Sequence, residues 1–220
     1  MLQSMNGSMM ASDLDDNGFI QLGIPVPDAL PSGNAYEYYK GLENRELWLD
    51  TDVDVDAGTL LIIRQIVRWN REDKGKPVED RTPIILYCFS FGGDLDLCNS
   101  IIDVISCSKT PVYTVNAGRC MSAAAYIYIA GHKRLMFGKS YFLFHQGSGA
   151  VGGNYAEMDS QMEDYKKKVA ALTELMKKYT NYSEKEIAKN IKKEWYVSSD
   201  EALKNGVCDR IIEDLDELIF

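Results

Sequence analysis

Three times in succession an apolar run of strand length gives way to a segment with helical periodicity, and this alternation constrains the fold more than any other feature of the sequence. "ELWLD" (46–50) precedes "DAGTLLIIRQIVRWNRED" (56–73), in which Ile62, Ile63, Ile66, Val67 and Trp69 recur at helical spacing. "TPIILYCFS" then leads through "FGGD" into "LDLCNSIIDVISC", with Leu97, Ile101, Ile102 and Ile105 on one side. "TPVYTVNAG" precedes a third helix, which Ser122 opens. Strands alternating with helices predict an α/β fold with mostly parallel pairing, whose functional groups sit on loops at the strand carboxyl ends. The glycine turns at Gly92–Gly93 and at Gly118 are expected at such ends.

The rest of the chain adds elements of other kinds. "KRLMFG" and "SYFLFHQG" are β-rich runs joined at Gly138–Lys139 by a predicted hairpin or tight bend. "GSGAVGG" (147–153) reads as an extended connector. From Asn154 to about Tyr179 the positions Met158, Met162, Tyr165, Val169, Leu172, Met176 and Tyr179 fall at steps of four and three, a narrow stripe. A helix of that span, roughly 35–40 Å at 1.5 Å per residue, exceeds what covering its own core requires, so it is expected to project and pack on another subunit; a helix lying across its own domain is the second reading. "SEKE" (183–186) is a capping box with Ser183 as N-cap and Glu186 three residues on, "EWYVS" a strand, "SSDEALKNG" a short helix stopped at Gly206, and "VCDRII" a last strand. Residues 1–34, rich in Met, Asp, Gly, Ser and Pro without periodicity, read as a flexible arm ahead of one domain, 35–220.

Composition removes several classes of function. A net charge of −9 with no compensating basic cluster makes nucleic acid an unsuited partner. Five cysteines, odd in number and widely spaced in apolar surroundings, read as reduced thiols in a cytoplasmic protein rather than a disulfide framework. With two histidines and no Cys-x-x-Cys, no metal or other cofactor is expected. The first 39 residues hold no Lys or Arg and no sustained apolar run, and "AAAYIYIA" is too short to span a bilayer, so neither a signal peptide nor a membrane segment is expected.

Chemistry concentrates in three places. Ser122, after a glycine turn and before a helix, suits either an N-cap or a nucleophile beside the free N–H groups of a helix start. His145 ends an apolar strand, where a core histidine is the ordinary explanation, but with His132 read as an exposed turn residue it is the candidate general base. The paired glycines of "SFGGD" serve either a flexible turn or a bare-amide site for a substrate carbonyl.

In order, "SFGGD", "GRCMSAAA", "FHQG", the long helix and "WYVSSDEALKNGVCDRI" resemble the Clp protease proteolytic subunit family, over about Tyr36 to Ile212. The resemblance implies a ClpP/crotonase-like spiral of ββα units with a long protruding handle helix, the handle region being about 146–180. It implies a serine endopeptidase that cuts unfolded polypeptides through an acyl-enzyme, with Ser122 as nucleophile, His145 as base, and backbone N–H groups of Gly93 and Ala123 as the oxyanion hole. Gly92, Gly147 and Gly149 then line the substrate path. Glu194 stands at the position matched to the triad aspartate, with Asp200 as the fallback. It further implies heptameric rings stacked as a tetradecamer around a closed chamber, and an AAA+ ATPase unfoldase as partner. Phe91 and Gly147 replace prolines of the family's turns, and the first 35 residues match its axial-loop segment poorly. Two rival readings are a crotonase-like acyl-CoA enzyme using the same two amides, and a catalytically silent ring or scaffold subunit.

Overall fold

The computed structural model describes residues 33–55, 57–147 and 149–218. The predicted arm lies outside them except for Gly33 and Asn34, which open α1 (Gly33–Glu43), a tyrosine-rich and weakly patterned helix that the periodicity argument does not find. From Lys40 onward the chain forms one unit.

β1 (Glu46–Leu49), α2 (Ala57–Glu72), β2 (Ile84–Ser90), α3 (Leu95–Cys107) and β3 (Val112–Met121) follow in the predicted alternation, and the three strands pair in parallel. β3 then forks the sheet. Its first half, Tyr113–Asn116, pairs with β4 (Lys133–Phe137), and its second half, Arg119–Met121, pairs with β5 (Tyr141–Phe144). β7 (Arg210–Ile212) continues beyond β4 in parallel, while β6 (Trp195–Ser198) runs antiparallel to β5.

The fork corrects one expectation and decides another. Gly118 lies inside β3 rather than at its end, where the two halves diverge; a Cβ there would come within 2.6 Å of the Phe89 ring, so the strand can bend over that ring only with glycine. β4 and β5 both run parallel to β3 and so cannot form a hairpin. Gly138–Lys139 is the tight bend, closed by the Ser140 N–H donating to the Phe137 carbonyl at 2.9 Å.

α4 (Ala123–Ile129) is buried on every side, no residue of it being more than 2% exposed. Its three leading alanines let it sit close beneath the sheet and against α3. A second fixed point joins β1, α2 and β3: the buried Asp73 carboxylate accepts from Arg45 (3.0 Å to Nη2), Lys76 (2.8 Å) and the Thr110 hydroxyl (3.0 Å).

The long helix, α5 (Tyr155–Tyr179), divides its stripe between two uses. Leu172 and Met176 are buried in the chain's own core, which is the reading placed second from sequence. Toward the other end Met162 is 41% and Tyr155 80% exposed, so that part leaves its surface uncovered. α6 (Glu184–Asn190) begins at the predicted Ser183–Glu186 capping box, and α7 (Ser199–Lys204) has its own box from Ser198 and Glu201 and gives way to Gly206 at φ +65°. Among the described residues no helix is long and apolar enough to cross a membrane.

Candidate active site

Ser122 occupies the single step between the end of β3 and the start of α4, with φ +51° and ψ −125°. A non-glycine residue held there costs roughly 1–3 kcal/mol. The conformation is held by the Ser122 N–H, which donates to the Leu143 carbonyl of β5 at 2.8 Å. The hydroxyl makes no capping bond to α4. It lies instead 2.7 Å from Nε2 of His145. Of the two roles open from sequence, the cap is overturned: the left-handed backbone turns Oγ away from the helix amides.

His145 follows β5 directly, two residues after the carbonyl that anchors Ser122, so one strand end sets both partners. Its backbone is held from three further elements. The Tyr126 hydroxyl of α4 donates to the His145 carbonyl at 3.2 Å, the Gln146 N–H donates to the Ile191 carbonyl after α6 at 2.8 Å, and the Tyr165 hydroxyl of α5 donates to the Gln146 carbonyl at 2.8 Å. Burial pushes the imidazole below its ordinary pKa of 6.5, and the charge of Glu194 opposes that shift. A neutral imidazole with Nδ1–H leaves Nε2 free to accept the serine proton.

The glycine turn comes up against this pair from β2. Gly92 has φ +98°, and a Cβ on it would meet the Met121 carbonyl at 2.5 Å and Ser122 Cβ at 2.8 Å. Gly93 forms a parallel bridge with Val53, in which the Val53 N–H donates to Gly92 O (2.7 Å) and the Asp94 N–H donates to Val53 O (2.6 Å). In such a bridge the middle residue turns its own N–H and C=O to the opposite edge. Gly93 therefore offers its N–H on the open side. Ala123, first in α4, has no carbonyl a turn back to pair with. Among the described residues no hydrogen bond engages either amide.

The profile of the family described as Clp protease matches residues 32–215. The chain belongs to that family. It is accordingly a protease, a hydrolase of peptide bonds. ATP-dependent Clp protease proteolytic subunit 2 of Treponema pallidum is 29% identical over 184 residues, which cover 83% of this chain and 89% of that one. The ATP-dependent Clp protease proteolytic subunit of Deinococcus radiodurans is 25% identical over 178 residues, 80% and 84% of the two chains. A solved structure of a ClpP1 mutant from Listeria monocytogenes superposes with a TM-score of 0.70 at 22% identity, over 83% of this chain and 99% of its own. That likeness carries the fold.

The remaining predicted residues divide. Glu194 stands one step beyond the Phe144–Trp195 pair, so the antiparallel register sets it across from His145. Its carboxylate is exposed and accepts from the Tyr196 hydroxyl at 3.0 Å, and among the described residues no hydrogen bond joins it to His145. Asp200 lines a separate hollow with Ser199 and Arg210. Sequence reasoning passes over the bracing roles of Tyr126 and Tyr165, whose hydroxyls hold the His145 and Gln146 carbonyls; a tyrosine on a helix carries no signal of such a role that periodicity can detect. Gly147, at φ +89°, lies under the Tyr165 hydroxyl, 2.8 Å from where a Cβ would stand. The connector is clamped to α5 by Gln161, which donates to Gly152 O at 2.9 Å and accepts from Gly152 N at 3.2 Å. Among the described residues no hydrogen bond engages the backbone of Gly149, Ala150 or Val151. No trio of His, Cys, Asp or Glu converges as a metal site among them either.

Proposed function

We propose that this protease cuts unfolded polypeptides through an acyl-enzyme formed on Ser122. The observation that carries this is the 2.7 Å approach of His145 Nε2 to a serine hydroxyl held at positive φ and not used as a cap. His145 takes the hydroxyl proton as Oγ attacks the carbonyl carbon, and the N–H groups of Gly93 and Ala123 receive the oxyanion. The protonated imidazole returns the proton to the leaving amine; water, deprotonated by the same base, then releases the acyl group. Glu194 stabilises the imidazolium through its charge. Set across from His145 by the β5–β6 register, Glu194 is also the group that orients the ring. The free backbone at Gly149–Val151 and the open edge of Gly93 suit an extended substrate paired as a strand, with Gly92 and Gly147 kept small so that the backbone can approach.

The assembly we propose is two stacked heptameric rings joined through the exposed start of α5, served by an AAA+ ATPase, as the relatives named ATP-dependent proteolytic subunits suggest. Unpaired cysteines, four of them buried, suit the cytoplasm. Intact-mass detection of a fluorophosphonate adduct on wild type and Ser122→Ala tests the chemistry. One adduct on wild type and none on Ser122→Ala is expected; an adduct persisting in Ser122→Ala would sink the assignment. Acyl-CoA turnover surviving in that variant would instead favour the crotonase reading, and an unlabelled wild type the silent-subunit reading.

A further inference from the structure

The oxyanion turn, the connector and α5 enclose a cleft of about 380 Å³ that the chemistry above does not use. It runs from Gly93 along the first turn of α3, past Gly149–Val151, to the face of α5 that carries Met162, Tyr165 and Lys168. Because Gly92 touches Ser122, a carbonyl held at Gly93 has its neighbouring Cα at the cleft mouth. With the substrate backbone paired at Gly149–Val151, the side chain nearest the cleft is the one on the acyl side of the scissile bond.

We propose that this cleft selects a basic side chain there, lysine or arginine, over an acidic one. The inference rests on the acyl-enzyme reading. Volume does not discriminate, since the cleft lies within the ~300–1,000 Å³ range of small-molecule sites and admits the longest side chain. Charge does. Asp94, Asp96 and Asp164 line the cleft against one cation, Lys168. Lys168 Nζ lies 2.7 Å from Asp96 Oδ1 and 2.7 Å from Asp164 Oδ2, so its charge is already committed to two carboxylates. Asp94 uses one oxygen to cap the Leu97 N–H at 2.8 Å. Three carboxylates less one ammonium leave two negative charges uncompensated within the cleft. An entering carboxylate meets net repulsion with no free cation. An entering guanidinium or ammonium meets the second oxygens of Asp96 and Asp164, while its methylene stem covers Met162, Tyr165 and Val151.

The test uses the assembled full-length protein with fluorogenic peptides that differ only at this residue, Arg against Glu. At low salt kcat/KM for the Arg peptide is expected about tenfold or more above that for the Glu peptide, shrinking steeply as salt screens the largely exposed carboxylates of Asp96 and Asp164. Asp164→Asn, on the exposed face of α5, should narrow the ratio, and Lys168→Gln, which frees both carboxylates, should widen it. Equal rates, a preference for Glu, or an Arg preference untouched by both substitutions would overturn the proposal. Binding of product peptides ending in Arg or Glu to Ser122→Ala protein, followed by calorimetry, reads the cleft without catalysis; tighter binding of the Glu peptide also overturns it. Fluorophosphonate labelling of wild type scores the acyl-enzyme reading separately, so the two failures are distinguishable.

Discussion

Ser122 holds a left-handed backbone without being glycine, and the strain persists because Leu143 fixes its amide, while Gly92 has no side chain to crowd its Cβ. Gly92→Ala should therefore fail twice over, through its own φ of +98° and through a 2.5 Å contact with the Met121 carbonyl. We expect a loss of roughly 2–4 kcal/mol in stability, read by denaturant titration, and no fluorophosphonate adduct. In the proposed mechanism His145 works as a neutral base, so activity should be present above its pKa and lost as pH falls through it. Burial lowers that pKa, which puts the acid limb of kcat/KM below 6.5; Glu194→Gln removes the charge that opposes burial and should move the limb lower still. The pairing of Ser122 with His145 was legible because the chain has only two histidines and the serine and histidine turns follow one another in order. The setting of Glu194 was less so: among the described residues its carboxylate bonds Tyr196 and not His145, and no sequence pattern fixes where an exposed side chain turns.

At the scale of elements, helices were readable where one face is apolar or a capping box marks the start, as in α2, α3 and α6. Strand partners were not. β3 gives half its length to β4 and half to β5, and no local pattern announces a strand that changes neighbour midway. α5 was misjudged in part for a related reason: its stripe is continuous in sequence, but the core beneath it ends partway along. The joint at Asp73 offers a separate test of element packing. Arg45, foremost, with Lys76 and Thr110, holds that carboxylate well below the usual range. Its contribution to stability is present above the unfolded aspartate pKa of about 3.9 and drains away as pH falls from there toward the folded value. Asp73→Asn should cost about 3 kcal/mol at neutral pH, because it strands the largely buried Arg45 charge, and should flatten the acid side of the stability profile in thermal melts.

For the whole molecule, the proposed rings place a demand on the uncovered start of α5. Tyr155→Glu puts a charge where 80% of a tyrosine is bare, and native mass spectrometry should then find single rings or smaller species in place of the stacked form. An unchanged mass would remove α5 from the interface.

The contact between the Ser122 amide and the Leu143 carbonyl sets the spacing of nucleophile and base through the backbone of one strand. Of the residues that line the substrate path, Gly92 and Tyr165 also brace this pair and are to be kept; the other lining side chains do not enter into it. Reactivity and selectivity are thus separable in this scaffold: the rest of the lining can be rewritten by mutation while the reactive pair keeps its alignment, which makes the site a suitable starting point for proteases of altered sequence preference.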